Sequence, residues 1–284
     1  MYLLRAPTDA LAPFIESYWF LSSEHGPVDL RVDVFVDGRA DLIFNYGAPY
    51  LRQVGHGAAV AHAASNLDAQ RLTPIRIIQR GAVRVVGVRF RLGGVGPFAR
   101  CDLWRHTGGT PAPVMVFGPA IGALEAELDA LGPDAAAARL DAFFVDNLRL
   151  GAGRPAFDRA LVAMGASQGG TSIEAIAGAA GTSQRHLERL FARQVGLTPK
   201  TVARVLRFQA ALRTLMRDPG VPLTQVAADL GYFDQAHFIR DFRAMTGGVP
   251  RGYRGYFPVE GPTDFAPNVV AFVQDDGGGE PAPS

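Results

Sequence analysis

The first half of the chain alternates apolar and polar residues over short segments. In residues 28–38 every second residue is apolar, and the segment ends in an Asp-Gly pair that is common in turns. Because successive side chains of a strand point to opposite faces, this pattern predicts a strand that forms a hairpin with 40–47. The earlier segment 12–20 has its apolar residues three and four apart, which predicts a helix. Further strands are predicted at 51–55, 72–80 and 82–91.

The period of the apolar residues changes in the middle of the chain. From about Pro119 the spacing is three and four residues, with acidic residues early in each segment, which predicts helices. Residues 151–155 read as a Gly/Pro linker. The tail 259–284 is rich in Pro, Gly and Asp and is expected to be disordered. A β-rich half followed by an all-helical half is typical of an α+β protein with two modules, here 1–150 and 155–258.

The helical half contains a repeat. Residues 172–199 and 222–250 carry Ala, Gly, His, Arg, Phe and Pro at matching positions. In each copy a short helix ends at a Gly, which favours a left-handed helix end, and a capping residue then opens a second helix. The capping residues are Ser183 and Asp234. This order predicts two helix-turn-helix units.

Charge is distributed unevenly between the halves. The chain of 284 residues has a net charge of +1, but residues 155–258 hold 13 Lys and Arg against 7 Asp and Glu, and the remainder is net acidic. Any antiparallel helix pair can show the periodicity of one unit. A duplicated unit inside the basic block favours a surface that binds nucleic acid.

The second helix of each unit leaves one face free to enter the major groove, with its N-terminal residues closest to the base edges. The predicted DNA-binding residues are Ser183, Gln184, Arg185, Glu188, Arg189, Asp234, Gln235, Ala236, Ile239, Arg240 and Arg243.

Four of these side chains leave alternatives open. Glu188 can accept a hydrogen bond from cytosine N4 or can pair with Arg185 three residues earlier. Arg189 and Arg240 can donate to guanine or phosphate, or can brace the fold. Ile239 can touch a thymine methyl group or can be an exposed apolar residue without a contact.

Two segments carry a resemblance to a known family. TSQRHLERLFARQVGLTPK and GYFDQAHFIRDFRAMTGGVPRGYR resemble the DNA-binding domain of the AraC/XylS transcription regulators, over roughly 165–257. The resemblance implies two helix-turn-helix units joined by a long helix, here about 199–217, with recognition helices about one DNA turn apart. We expect Leu206 of that helix to pack mainly against the first unit and Leu212 nearer the second. Tyr232 departs from the Phe that is usual in the family.

The resemblance also implies partners. It implies a double-stranded DNA operator, a small-molecule effector or homodimerisation through the N-terminal domain, and RNA polymerase as a further partner. In the family the N-terminal domain is often a small β-barrel, so we expect a β-rich, small barrel-like domain with a sensor or dimerisation role. The run ESYWF…VDVFVDGRADLIFNYG…VGVRFRLGGVGPF resembles a recurrent, poorly characterised domain fused to such regulators. Its aromatic residues, Trp19 among them, are expected to form the core.

Other chemistry has little support in the sequence. The single Cys101 excludes an intrachain disulfide or a four-cysteine zinc site. No G-x-S-x-G or P-loop spacing occurs, so we predict no catalytic residues, no cofactor and no metal. No apolar run is long enough for a membrane span and the N-terminus lacks the order of a signal peptide, which predicts a cytoplasmic protein without a membrane partner. The alternatives are an enzyme or DNA-repair protein with an appended helix-turn-helix module, and a protein-binding scaffold.

Overall fold

The computed structural model describes residues 2–23, 28–62, 64–253 and 269–274. Strands dominate the N-terminal part and helices the C-terminal part, which confirms the predicted α+β class. The strands of the described part are β1 Tyr2–Arg5, β2 Ile15–Ser22, β3 Val28–Val34, β4 Ala40–Asn45, β5 Tyr50–Val54, β6 Ala59–His62, β7 Asn66–Asp68, β8 Ile75–Gly81, β9 Arg84–Phe90 and β10 Val269–Gln274.

The strands form two antiparallel five-stranded sheets. Sheet A has the order β1-β2-β9-β4-β7, and sheet B has the order β10-β3-β8-β5-β6. The strands predicted at 51–55, 72–80 and 82–91 are confirmed as β5, β8 and β9. The tail lies largely outside the described residues, but Val269–Gln274 pair with β3, so the expectation of disorder is wrong for these six residues.

The helix predicted at 12–20 is wrong, because Ile15–Ser22 form a strand of sheet A with a neighbouring strand on each side. The backbone of β2 pairs with β1 on one side and β9 on the other, so that Trp19 lies between Leu4 and Gly87. These long-range ladders satisfy the backbone and bury Tyr18 and Phe20 on one face. Tertiary pairing therefore overrides the local three-and-four spacing.

The predicted hairpin between 28–38 and 40–47 is also wrong. β3 pairs with β8 in sheet B, whereas β4 pairs with β7 and β9 in sheet A. Phe35 and Val36, the first two of the five residues that join these strands, leave both sheets and are buried in a cluster of the C-terminal half.

Sheet A separates two environments. Along β9, Val86, Val88 and Phe90 belong to the N-terminal core, while Val85 and Arg89 face sheet B. Helices cover the core side: α1 Pro113–Phe117, α2 Ala120–Leu128 and α3 Pro133–Asn147.

The C-terminal helices form two apolar clusters around one long helix. The helices are α4 Arg154–Ala166, α5 Ile173–Ala179, α6 Gln184–Gln194, α7 Pro199–Arg217, α8 Leu223–Asp229 and α9 Gln235–Thr246, followed by a 3₁₀ helix at Pro250–Tyr253. α7 contributes Val202 and the half-buried Leu206 to the cluster of the first unit. It contributes Val205, Leu212 and Phe208 to the cluster of the second unit, so the predicted packing of Leu206 and Leu212 is confirmed. Among the described residues, no helix is long and apolar enough to cross a membrane.

The N-terminal half contacts both units near the C-terminal ends of their second helices. The Val36 amide donates to the Met245 carbonyl at the end of α9 (3.3 Å). The Val36 carbonyl accepts a hydrogen bond of 3.0 Å from Gln209 of α7. At the first unit, the Thr107 hydroxyl donates to the Gly196 carbonyl just past α6 (2.6 Å).

A charge placed inside α7 should disrupt both units. Leu206→Asp and Leu212→Asp should each lower the Tm of the full chain and abolish specific DNA binding. Truncating a buried Leu such as Leu212 to Ala costs ~2–5 kcal/mol, and an unpaired carboxylate placed against either apolar cluster adds a desolvation penalty. The measurements are thermal unfolding and gel shift on a site selected from random DNA by the wild-type protein.

Thr214→Asp is the control, because Thr214 lies on the same helix and belongs to neither apolar cluster. A soluble Leu206→Asp protein with unchanged Tm and affinity would contradict the prediction.

Candidate nucleic-acid interface

The two helix-turn-helix units have the same local geometry. Gly181 and Gly231 both have φ of +67°, the left-handed conformation that glycine adopts without strain. Two residues past Gly181 the Ser183 hydroxyl accepts from the His186 amide (3.2 Å), and a carboxylate oxygen of Asp234 accepts from the His237 amide (2.6 Å). Each second helix therefore begins with a side-chain cap, as the sequence predicted.

Most of the predicted DNA-binding side chains are exposed. Those at the solvent are Ser183, Gln184, Arg185, Glu188, Arg189, Asp234, Ala236, Arg240 and Arg243. Gln235 and Ile239 are half-buried, and Ile239 packs against the apolar cluster of the second unit. This packing already gives Ile239 a role in the fold, which neither sequence interpretation included. The nine exposed residues lie at the starts of α6 and α9 and along the solvent-facing sides of these helices.

The structure bears on the alternative roles that the sequence left open for Glu188, Arg189 and Arg240. Glu188 lies 3.5 Å from the Gln184 amide, and no ion pair with Arg185 forms among the described residues. The Arg189 guanidinium contacts the ring of His186 on its own helix (3.0 Å). Within the described part of the chain, Arg240 has no side-chain hydrogen bond or ion pair. Bracing of the fold is therefore not the role that the geometry gives to Arg189 or Arg240.

Other arginines brace the units, and the sequence analysis did not identify them. Arg204 of α7 holds the buried carboxylate of Asp241 in α9 with two hydrogen bonds of 2.8 and 3.3 Å. The hydrogen bond to Asp241 raises the pKa of Arg204, which keeps this pair charged. Arg207 donates to the carbonyls of Gly169 (3.2 Å), in the loop before α5, and Gly231 (3.3 Å), in the turn of the second unit, and so links both of these segments to α7.

The acceptors of Arg207 are backbone carbonyls, which every residue has, so no residue type marks them in the sequence. The spacing of Arg204 and Arg207 on one helix was the only available signal.

These features agree with a comparison of the sequence with protein families. Residues 176–256 match the family described as a helix-turn-helix domain, and residues 5–108 match a domain of unknown function. Residues 176–256 form an AraC-type helix-turn-helix domain. The matched range lies within the 165–257 segment that carried the resemblance. No curated protein is significantly similar in sequence to the chain.

Solved structures similar to this chain include AraC-type regulators. A transcriptional regulator with an AraC-type DNA-binding domain from Chromobacterium violaceum is 28% identical over 36% of this chain and 91% of its own, with a TM-score of 0.34. A probable AraC family regulator from Rhodopseudomonas palustris is 29% identical over 34% and 93%, with a TM-score of 0.32. ToxT from Vibrio cholerae is 9% identical over 82% and 97%, with a TM-score of 0.44.

One residue of the AraC-type domain, Tyr232, is predicted to lower the stability of the folded protein. Tyr232 is buried against the Arg207 guanidinium, and its hydroxyl has no hydrogen-bond partner in the described structure. Burial raises the pKa of Tyr232, so the hydroxyl stays protonated. Tyr232→Phe should leave the free energy of unfolding unchanged or raise it by up to about 3 kcal/mol, because an unsatisfied buried polar group is removed.

Urea unfolding of the full chain measures this change. Tyr253→Phe is the matched control, since the Tyr253 hydroxyl is hydrogen-bonded to Thr246 and its removal should destabilise. A Tyr232→Phe protein less stable than Tyr253→Phe would show that the Tyr232 hydroxyl is satisfied.

Proposed function

We propose that the chain is a sequence-specific DNA-binding transcription regulator in which α6 and α9 read one operator. The observation that carries this proposal is the pair of second helices in the AraC-type domain, each capped at its N-terminus by a side-chain oxygen and each with a polar and basic face left exposed. The functional division is a sensor or dimerisation domain at 1–150, a DNA-binding domain at 155–258 and a tail at 259–284. The proposed location of the protein is the cytoplasm.

The predicted contact residues divide by position. Gln184, Arg185, Gln235 and Ala236 begin their helices, where side chains reach base edges. Glu188 and Ile239 follow one turn later. Arg189, Arg240 and Arg243 supply positive charge for guanine or phosphate. Ser183 and Asp234 already use a side-chain oxygen as a cap, so they set the helix start that the other residues depend on.

The partners follow from the same proposal. Double-stranded DNA is the primary partner, RNA polymerase and a second copy of the chain are further ones, and a small molecule acts through the N-terminal domain. The alternative function, an enzyme with an appended DNA-binding module, gains no support from the single cysteine, Cys101. Burial and the charge of Asp102 raise the pKa of Cys101, which disfavours a reactive thiolate.

Base readout can be separated from phosphate binding. Arg185→Ala and Gln235→Ala should each relax base preference at a different position of one site, at a cost of roughly 1–3 kcal/mol if the contact is bidentate. Binding is measured on the selected site and on random DNA, as a function of salt. Arg193→Ala, at the far end of α6 and 3.5 Å from Asp102, is the control that should keep base preference.

Equal weakening on both DNAs would assign Arg185 and Gln235 to phosphate. Absence of any salt-dependent binding by the full chain would contradict the proposed function and favour a protein-binding scaffold.

Control by the N-terminal half should act through the inserted residues. Phe35 is 1% exposed and packs edge-on against Tyr253, with ring centroids 5.3 Å apart. Phe35→Ala should remove ~3–5 kcal/mol of packing from the second unit and speed hydrogen exchange of α9. Phe44→Ala is the matched control, because Phe44 is equally buried but belongs to the N-terminal core. If Phe44→Ala speeds hydrogen exchange of α9 as much as Phe35→Ala does, Phe35 does not couple the N-terminal half specifically to α9.

A further inference from the structure

A cavity of about 150 Å³ lies between the two sheets of the N-terminal half. It is lined by β1, β2, β4, β7 and β9 of sheet A and by β3, β5 and β8 of sheet B. Most of its wall is apolar, formed by Trp19, Leu21, Val34, Ile43, Ile77 and Val85. An apolar cavity of roughly this volume holds a single benzene ring.

The cavity is not a gap in the principal core. The N-terminal apolar core lies on the opposite face of sheet A, against α1 to α3, and none of its described members belongs to sheet B. The space between the sheets is therefore a separate compartment. Its wall is specifically shaped at Gly87, since a Cβ there would lie 1.8 Å from the Trp19 ring. Gly87 lets the indole lie flat on β9 and form the cavity wall.

The polar part of the cavity wall contains the charged residues Asp41, Asp68, Arg71 and Arg89, together with Tyr2, Tyr50 and Gln79. Each of the four charged residues is paired. Asp41 holds Arg89 at 3.0 Å, and Asp68 pairs with both Arg71 and Arg52. A third carboxylate, Asp37, lies 3.3 Å from Arg71. The three carboxylates balance the three guanidinium groups, so a charged guest would bring an unpaired charge into a buried site, which is costly.

Two donors of this cluster lack a hydrogen-bond partner in the described structure, the Nε–H groups of Arg52 and Arg71, and of these two residues only Arg71 lines the cavity. The Arg71 side chain is 2% exposed and lines the cavity, and its Nε–H has no hydrogen-bond partner in the described structure. A buried donor without a partner carries a free-energy penalty that an acceptor on a guest would remove.

We propose that this cavity binds a neutral molecule of about one ring that carries a single hydrogen-bond acceptor, and that Arg71 donates to it. The apolar walls select the ring, the balanced charges reject ionised guests, and the Arg71 Nε–H selects the acceptor. The proposal rests on the proposed function in one respect, which is that this guest is the effector.

The cavity is connected to the DNA-binding domain along the chain. Val32 and Val34 of β3 line it, and the next residues are Phe35 and Val36, which are buried in the second unit. Arg71 also holds Asp37 at the end of this connection. A guest that moves β3 or Arg71 therefore acts on the residues that contact α9.

Three probes of equal heavy-atom number test the proposed chemistry. Acetophenone is neutral with an acceptor, cumene lacks the acceptor, and benzoate is charged. Trp19 lines the cavity and its indole N–H donates to Asp41 (3.2 Å), so the ¹H–¹⁵N signal of this indole reports occupancy in the full chain. Trp104→Phe assigns the signal, because Trp104 is the only other tryptophan.

Acetophenone should shift the Trp19 signal saturably. Cumene should bind at least about fivefold more weakly because it leaves the Arg71 donor unpaired. Benzoate should bind at least about tenfold more weakly because its charge is uncompensated. Equal binding of cumene would overturn the role of Arg71, and preferred binding of benzoate would overturn the neutral-guest assignment.

Two phenylalanine variants of one strand locate the site. Ile77→Phe fills the cavity and should weaken acetophenone binding by about tenfold or more. Ile78→Phe is the matched control on the opposite face of β8 and should leave it within about twofold. Equal effects of the two variants, or no saturable shift in the wild type, would refute the site. The measurement contains no DNA, so its result stands apart from that of the proposed function, and a change of operator affinity on adding acetophenone tests the effector role separately.

Discussion

A single helix has to bury two different faces, and the C-terminal half depends on this constraint. α7 supplies Val202 to one apolar cluster and Phe208 to the other, so neither helix-turn-helix unit closes its core without it. Arg204 and Arg207 add directed hydrogen bonds from the same helix to α9, to the turn at Gly231 and to the loop before α5. Since a core mutation of a few kcal/mol rivals the stability of a domain, the two units share one stability through α7.

The apolar cluster of the second unit also contains residues of the N-terminal half. Phe35 and Val36 leave the end of β3 and complete the cluster around Phe242 and Met245. The sheets and the helical domain are therefore coupled by shared packing as well as by the covalent linker. This arrangement explains why β3 and β4 do not form a hairpin, because two of the five residues between them are held in the second unit.

Local patterns in the sequence predicted local features. The alternation of 82–91, the repeat of two units, and the caps at Ser183 and Asp234 all appear in the structure, because each depends on residues within one turn or one strand. Whether residues 12–20 form a helix or a strand depended on strand pairing with β9, about 70 residues away, which no local spacing reveals. For the same reason the cavity and the contacts of Arg207 were not predicted. The DNA-contact set remains a prediction: the structure exposes most of it, and only binding can test it.

The N-terminal half contacts α6 and α9 near their C-terminal ends, through Val36 at α9 and Thr107 at Gly196. The ends proposed to read DNA point away from these attachments and cannot be adjusted independently. One added base pair shifts a distal half-site by about 3.4 Å along the axis and rotates it by about 35° around it. A reader fixed at both helices would thus recognise the distance between two short sequences as well as the sequences themselves, and would reject an operator lengthened by a single base pair.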